Sequence, residues 1–114
     1  MLTIESLKEY GADVETGLAR CMGMKDFYLR MVGMELADSH FSALDQAMEK
    51  RDAKAAFEAL HALKGAVGNL SLTPLYTPIC EMTERLRGMQ TMPDVDEVYQ
   101  RVREEIARLK MLAQ

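Results

Sequence analysis

The sequence predicts an all-α domain: an antiparallel, up-down-up-down four-helix bundle with short extra N-terminal helices. Three observations predict it. Alanine, leucine, methionine, glutamate, lysine and arginine dominate the chain, and all are strong helix formers. Only three prolines interrupt 114 residues, and no run shows the strict alternation of a half-buried strand. Long helical segments follow one another across short turn signals, the pattern of antiparallel neighbours in a bundle. With 48% hydrophobic residues, positions 1–114 suffice for one core and form a single domain.

A short first helix spans about Ile4 to Tyr10 and stops at Gly11. Asp13 is placed to cap a second, Val14 to Cys21, ending near Gly23. A longer segment has Asp26 near its start, a favourable N-terminal charge, and runs to about Lys50, with Gly33 or Asp38 as places for a bend. Asp52 caps a helix from Ala53 to about Leu70. Ser71 or Thr73 opens the next, with Pro74 in its first turn and Gly88 at its end. Pro78 leaves two readings of that helix: a kink, or a later start with Thr77 as cap. The last helix begins near Pro93. Asp94, Asp96 and Glu97 lie in its first turn and Arg108 and Lys110 in its last, matching the helix dipole at both ends.

Charge and composition exclude several classes. A net charge of −4 argues against a general nucleic-acid binder. No apolar run is long enough to span a membrane, and Met1 to Ser6 lack the basic and apolar regions of a signal peptide. Cys21 and Cys80 are expected to be free, buried thiols in a reducing cytoplasm rather than a bridge. Of the ten methionines, Met31/Met34 and Met89/Met92 have the Met-x-x-Met spacing of copper(I) sites. Methionine more often fills irregular cores and adaptable surfaces, so no metal site is expected here.

The two histidines differ. On a wheel of about 100° per residue, Ala56, Leu60, Leu63, Val67 and Leu70 form an apolar stripe nearly opposite His61. The face of His61 carries Lys54, Phe57, Glu58, Lys64, Gly65 and Gly68, so it reads as solvent-facing. Each glycine costs roughly 1 kcal/mol relative to alanine in a helix interior. Gly65 and Gly68 lie four and seven residues after His61, away from the apolar stripe, which disfavours close helix packing as their reason. They read instead as a bare strip of backbone beside an imidazole, with Lys64 in reach, suited to close approach by something large and anionic. Phe57 points outward or lies at the boundary, as part of a small contact patch. His40 has Leu36, Ala37, Ala43, Leu44 and Ala47 for neighbours on its own wheel. It reads as a boundary or core histidine satisfied by a hydrogen bond.

The run His61-Ala62-Leu63-Lys64-Gly65-Ala66-Val67-Gly68-Asn69-Leu70-Ser71 resembles the core motif of histidine-containing phosphotransfer (HPt) domains. That motif is His-x-Leu/Ile-Lys-Gly, then small residues and an apolar–Gly pair. The segment Gly11 to Cys21, Phe27-Tyr28-Leu29, Leu44-x-x-Ala47 and Asp52 are similar to the family's flanks. The resemblance covers roughly residues 10–112. Three positions depart from it: Ser71 stands where glycine is usual, Thr83 where some members place a glutamine near the phosphohistidine, and Pro78 is unusual for the family.

The resemblance implies a four-helix bundle whose exposed His61 carries a phosphoryl group between response-regulator receiver domains, or from a hybrid sensor kinase to a regulator. A neutral imidazole would attack the phosphorus of a receiver phosphoaspartate, and imidazoles ordinarily titrate near 6.5. Lys64 would pair with the phosphoryl oxygens, and Lys54, two turns away, would greet the acidic receiver pocket. Gly65 and Gly68 would admit the receiver's loops, with Phe57 an apolar contact at the rim. Mg²⁺ would come from the receiver, and the chain supplies no cofactor. It has no Gly-rich nucleotide loop and no room for an ATP-binding domain, so it would be a phosphocarrier and not an enzyme. The competing expectation is a helical adaptor that binds a receiver or sensor kinase without carrying phosphate.

Overall fold

A computed structural model describes residues 1–114 as seven α-helices without a strand. Local signals account for most of their ends. Helix α1 (Ile4–Tyr10) begins with a capping box between Thr3 and Ser6 and stops at Gly11, whose φ of 108° favours glycine. Helix α2 (Val14–Arg20) is capped by the Asp13 carboxylate, which accepts from the Thr16 N–H. Helix α5 (Ala53–Asn69) is capped in the same way by Asp52, which accepts from the Ala55 N–H.

The segment expected to run from Asp26 to Lys50 is two helices, α3 (Lys25–Leu36) and α4 (Ser39–Glu49). Of the two expected bend sites, Asp38 is the break. Its backbone is extended, and its carboxylate accepts from the His40 N–H, starting a new helix. Gly33 lies inside α3 and does not interrupt it. Helix α6 (Thr73–Leu86) has Pro74 in its first turn and continues through the buried Pro78, so Thr77 is not its cap. Pro78 removes the N–H that would reach the Pro74 carbonyl. The Thr77 hydroxyl donates to the Thr73 carbonyl at 3.1 Å in that same turn. Helix α7 (Asp96–Leu112) starts later than Pro93, and Asp94 precedes it, accepting from the Asp96 N–H.

One hydrophobic cluster runs through the molecule from Leu7 to Leu109. The expected stripe of α5 is all in it: Ala56, Leu60, Leu63 and Val67 are fully buried and Leu70 nearly so. Burying a leucine or valine side chain stabilises by roughly 1.5–3 kcal/mol, so this stripe fixes the rotation of α5. Helices α4, α5, α6 and α7 neighbour one another in chain order. A hydrogen bond from the Tyr99 hydroxyl to Asp45 joins α7 back to α4, and the Arg51–Asp96 pair joins it to the turn after α4. Helices α5 and α6 run antiparallel, since Gly68 meets Tyr76 at one end and Phe57 meets Arg87 at the other. No helix is long and apolar enough to cross a membrane.

The end of α5 is held by the N-terminal helices. Its last carbonyls have no partner within the helix, as at every helix C-terminus. The Arg20 Nη1 donates to the Gly68 carbonyl at 2.6 Å, and the buried Tyr28 hydroxyl to that of Leu70 at 2.8 Å. The Asp13 N–H donates to the Ser71 carbonyl at 2.9 Å. Gly17 makes room for this arrangement: a Cβ there would lie 2.6 Å from the Tyr28 ring.

Candidate functional site

With its apolar stripe buried, α5 turns His61 to solvent on the opposite side. An open groove of about 580 Å³ begins at this histidine. Lys64, Gly65, Gly68, Asn69, Ser71, Thr73 and Tyr76 continue its walls, and Asp13, Thr16 and Arg20 of the N-terminal segment close one side. Four of the expected site residues, His61, Lys64, Gly65 and Gly68, therefore share one surface. Phe57 sits one turn before His61, half-buried, with its ring stacked beside the imidazole at 6.2 Å between centroids. Lys54 is exposed in the first turn of α5 and lies outside the groove.

The two glycines have different reasons. Around Gly65 a Cβ would meet nothing within 4 Å, so the backbone there is open to an approaching molecule. At Gly68 a Cβ would lie 2.8 Å from Cε1 of Tyr76. The expectation that neither glycine serves packing fails at Gly68, which seats a ring from α6. The wheel of α5 shows only its own side chains and carries no information about a neighbour reaching around the helix.

His40 is also corrected. Its side chain is 47% exposed, and the residue is neither in the core nor at its boundary. The expected hydrogen bond is present, with Nδ1 2.7 Å from the Asp38 carboxylate. Beneath this pair lies Glu35, a buried carboxyl pushed up to about 8, first by burial and then by its hydrogen bond to Asp38 and that residue's charge. Burial also raises Asp38, but hydrogen bonds from Glu35 and His40 outweigh it and hold this carboxylate below its ordinary range.

Several neighbours of His61 come from elsewhere in the chain. The Arg87 guanidinium of the α6 C-cap lies 5.3 Å from the centre of the Phe57 ring, so the ring meets both the imidazole and a cation. Arg87 is itself held by Glu84 through bonds of 2.9 and 3.1 Å. Those bonds and the charge of Arg87 lower the Glu84 carboxyl, with a smaller contribution from Lys64. Thr83 does not reach this surface. It is fully buried, and its hydroxyl donates to the Ile79 carbonyl at 2.6 Å. Ser71, in the usual glycine position, has a left-handed backbone with φ of 57°.

Cys21 and Cys80 are both free; Cys21 is buried, but Cys80 is only partly so, against the expectation that both lie inside. No cluster of three His, Cys, Asp or Glu side chains is arranged to hold a metal ion. Arg20 and Tyr76 in the groove, with Thr16 and Thr73, and Glu84 and Arg87 beside the stack are site residues that the sequence alone did not point to.

An exposed histidine halfway along a packed helix, beside a lysine and open backbone, is the most prominent surface feature of this helical bundle. The family model of the Hpt domain matches residues 29–111, and the chain belongs to that family. Comparison with curated proteins and with solved structures returns no match. Hpt domains act in two-component phosphotransfer as carrier modules without kinase activity, and they interact with receiver domains and kinases.

Proposed function

We propose that this protein is a cytoplasmic phosphorelay carrier in which His61 accepts a phosphoryl group from one receiver aspartate and donates it to another. The observation that carries this reading is the exposed imidazole of His61 with Lys64 one turn on and open backbone at Gly65, all inside the Hpt-matched segment. In this account residues 1–114 act as one unit, with α4 to α7 as an up-down-up-down four-helix bundle.

The neutral imidazole attacks the phosphorus of a receiver acyl phosphate through Nε2. The N–P bond forms as the aspartyl O–P bond breaks, the carboxylate leaves, and the ring keeps its Nδ1 proton. The reverse step returns the phosphoryl group to a second aspartate. The Lys64 ammonium follows the transferred oxygens as a flexible point charge. The Phe57 ring limits the swing of the imidazole, and the Gly65 backbone lets the receiver's aspartate come within attack distance. Mg²⁺ arrives with the receiver.

Incubation with a phosphorylated receiver domain tests the reading. Acid-labile, alkali-stable label is expected on the wild type and not on His61→Gln. A wild type that binds the receiver but takes no label from it would instead make the protein an adaptor.

A further inference from the structure

We propose that Arg20 is a partner-recognition residue, whose guanidinium pairs with a carboxylate on the acidic rim of the domain that exchanges phosphate with His61. This rests on the carrier reading above. Four observations lead to it.

First, Arg20 lines the same groove as His61, although it lies in α2, ahead of the residues the Hpt model matches. Second, its charge is only weakly engaged: hydrogen bonds from Thr16 do most to lower the Asp13 carboxyl, and Arg20 adds to this at a distance, without a direct pair. It forms no ion pair, and its one hydrogen bond goes to the neutral carbonyl of Gly68. A guanidinium carries five N–H donors in a rigid fork, so donors remain for a second acceptor. Third, that bond holds an otherwise flexible side chain in place, which lowers the entropy lost when a partner docks.

Fourth, the groove's charge runs against that of the molecule. The chain has a net charge of −4, yet the groove holds two cations, Arg20 and Lys64, against the single carboxylate of Asp13. Asp13 is occupied as the cap of α2, where it accepts from the Thr16 N–H and hydroxyl. The chemistry that fits this groove is a carboxylate-lined surface, with Lys64 near the transferred group and Arg20 farther out at the end of α5. An exposed charge in that outer position acts on encounter and affinity more than on the chemical step.

The test compares phosphotransfer kinetics of wild type, Arg20→Gln, Arg20→Glu and Arg20→Lys, using a phosphorylated receiver domain that labels the wild type. Phosphoramidate, a small phosphodonor without a protein surface, is the control. Glutamine still offers an N–H to the Gly68 carbonyl but has no charge, so it separates recognition from helix-end capping. Arg20→Gln is expected to raise KM for the receiver about tenfold with kcat nearly unchanged, the scale of one lost charge-assisted contact. Arg20→Glu raises it further, Arg20→Lys restores most of the loss, and added salt narrows the differences. Labelling by phosphoramidate stays at the wild-type rate in all four proteins.

An unchanged KM in Arg20→Gln would overturn the assignment. So would an equal loss with phosphoramidate, since Arg20 would then act on the histidine's own surroundings. A wild type that neither donor labels would instead sink the carrier reading itself.

Discussion

The rings of Phe57 and His61 on α5 lie 19° from parallel with centroids 6.2 Å apart, and the Arg87 guanidinium, at the C-cap of α6, flanks the Phe57 ring. The stack reaches from the end of α6 to His61 along the surface of α5. Phe57→Ala removes a half-buried ring and the pair it makes with the imidazole. Such aromatic pairs contribute about 0.5–1.5 kcal/mol beyond the area they bury. The expected result is a slower, roughly three- to tenfold reduced, phosphotransfer rate with the helical circular dichroism spectrum retained. Phe57→Leu should keep more stability than activity, because it fills the boundary but cannot stack. Equal rates for wild type and Phe57→Ala would show that the stack does not position His61.

Gly65 and Gly68 separate two roles that look the same in a helical wheel. Gly65→Ala adds a better helix former in open space and should raise stability by about 1 kcal/mol. Gly65→Gln should also stay folded while slowing transfer from a receiver by crowding its approach. Gly68→Ala gains the same propensity but drives a methyl against Tyr76, 2.8 Å away. It should therefore yield less stability than Gly65→Ala, or lose it. The Gly68→Ala change measured in a Tyr76→Ala background should recover the gain, a coupling that a double-mutant cycle in urea reads directly. Additive free energies would mean that Tyr76 does not hold the Gly68 position.

Much of this surface is legible in the chain because its causes are local. Asp13 and Asp52 cap helices with their own side chains, and the α5 stripe follows from spacing alone, so the rotation of His61 into solvent does too. What escapes is supplied by neighbours distant in sequence. Tyr76 occupies the space at Gly68 from α6, and Arg20 reaches the end of α5 from α2. His40 shows a second kind of failure. Its wheel counted Leu36 and Ala37 as neighbours, yet Leu36 ends α3 and Ala37 lies in the turn before α4. Across that turn the helix axis changes, and angular position on a single wheel loses its meaning.

The backbone at Ser71 offers a stability test. Its φ of 57° is a conformation that side chains with a Cβ adopt at a cost of roughly 1–2 kcal/mol. No hydrogen bond involves its hydroxyl, while its backbone carbonyl accepts from the Asp13 N–H in a contact that glycine preserves. Ser71→Gly should stabilise by about 0.5–1 kcal/mol, since part of the relief is offset by the greater entropy of glycine in the unfolded chain. A rise in the thermal midpoint is expected. A fall would show that the serine side chain contributes something the backbone geometry does not.

Glu35 predicts a pH dependence of definite sign. Its folded pKa is raised from 4.5 to about 8, so between those values the folded protein binds more protons than the unfolded chain. The stability this group contributes is complete below pH 4.5, falls as pH rises, and is lost above about 8. Glu35→Gln keeps the shape and the hydrogen-bond donor without the proton. Its urea stability minus that of the wild type should grow across this window and level off above it. A difference that stays flat would contradict protonation of Glu35 in the folded state.

The most direct test of the central claim is phosphate labelling of wild type and His61→Gln by phosphoramidate and by a phosphorylated receiver, followed by acid and alkali treatment. The account predicts about one acid-labile, alkali-stable phosphoryl group per wild-type chain and none on His61→Gln, which retains the wild-type helical spectrum. Equal label on the folded variant, or a wild type that neither donor labels, would contradict it.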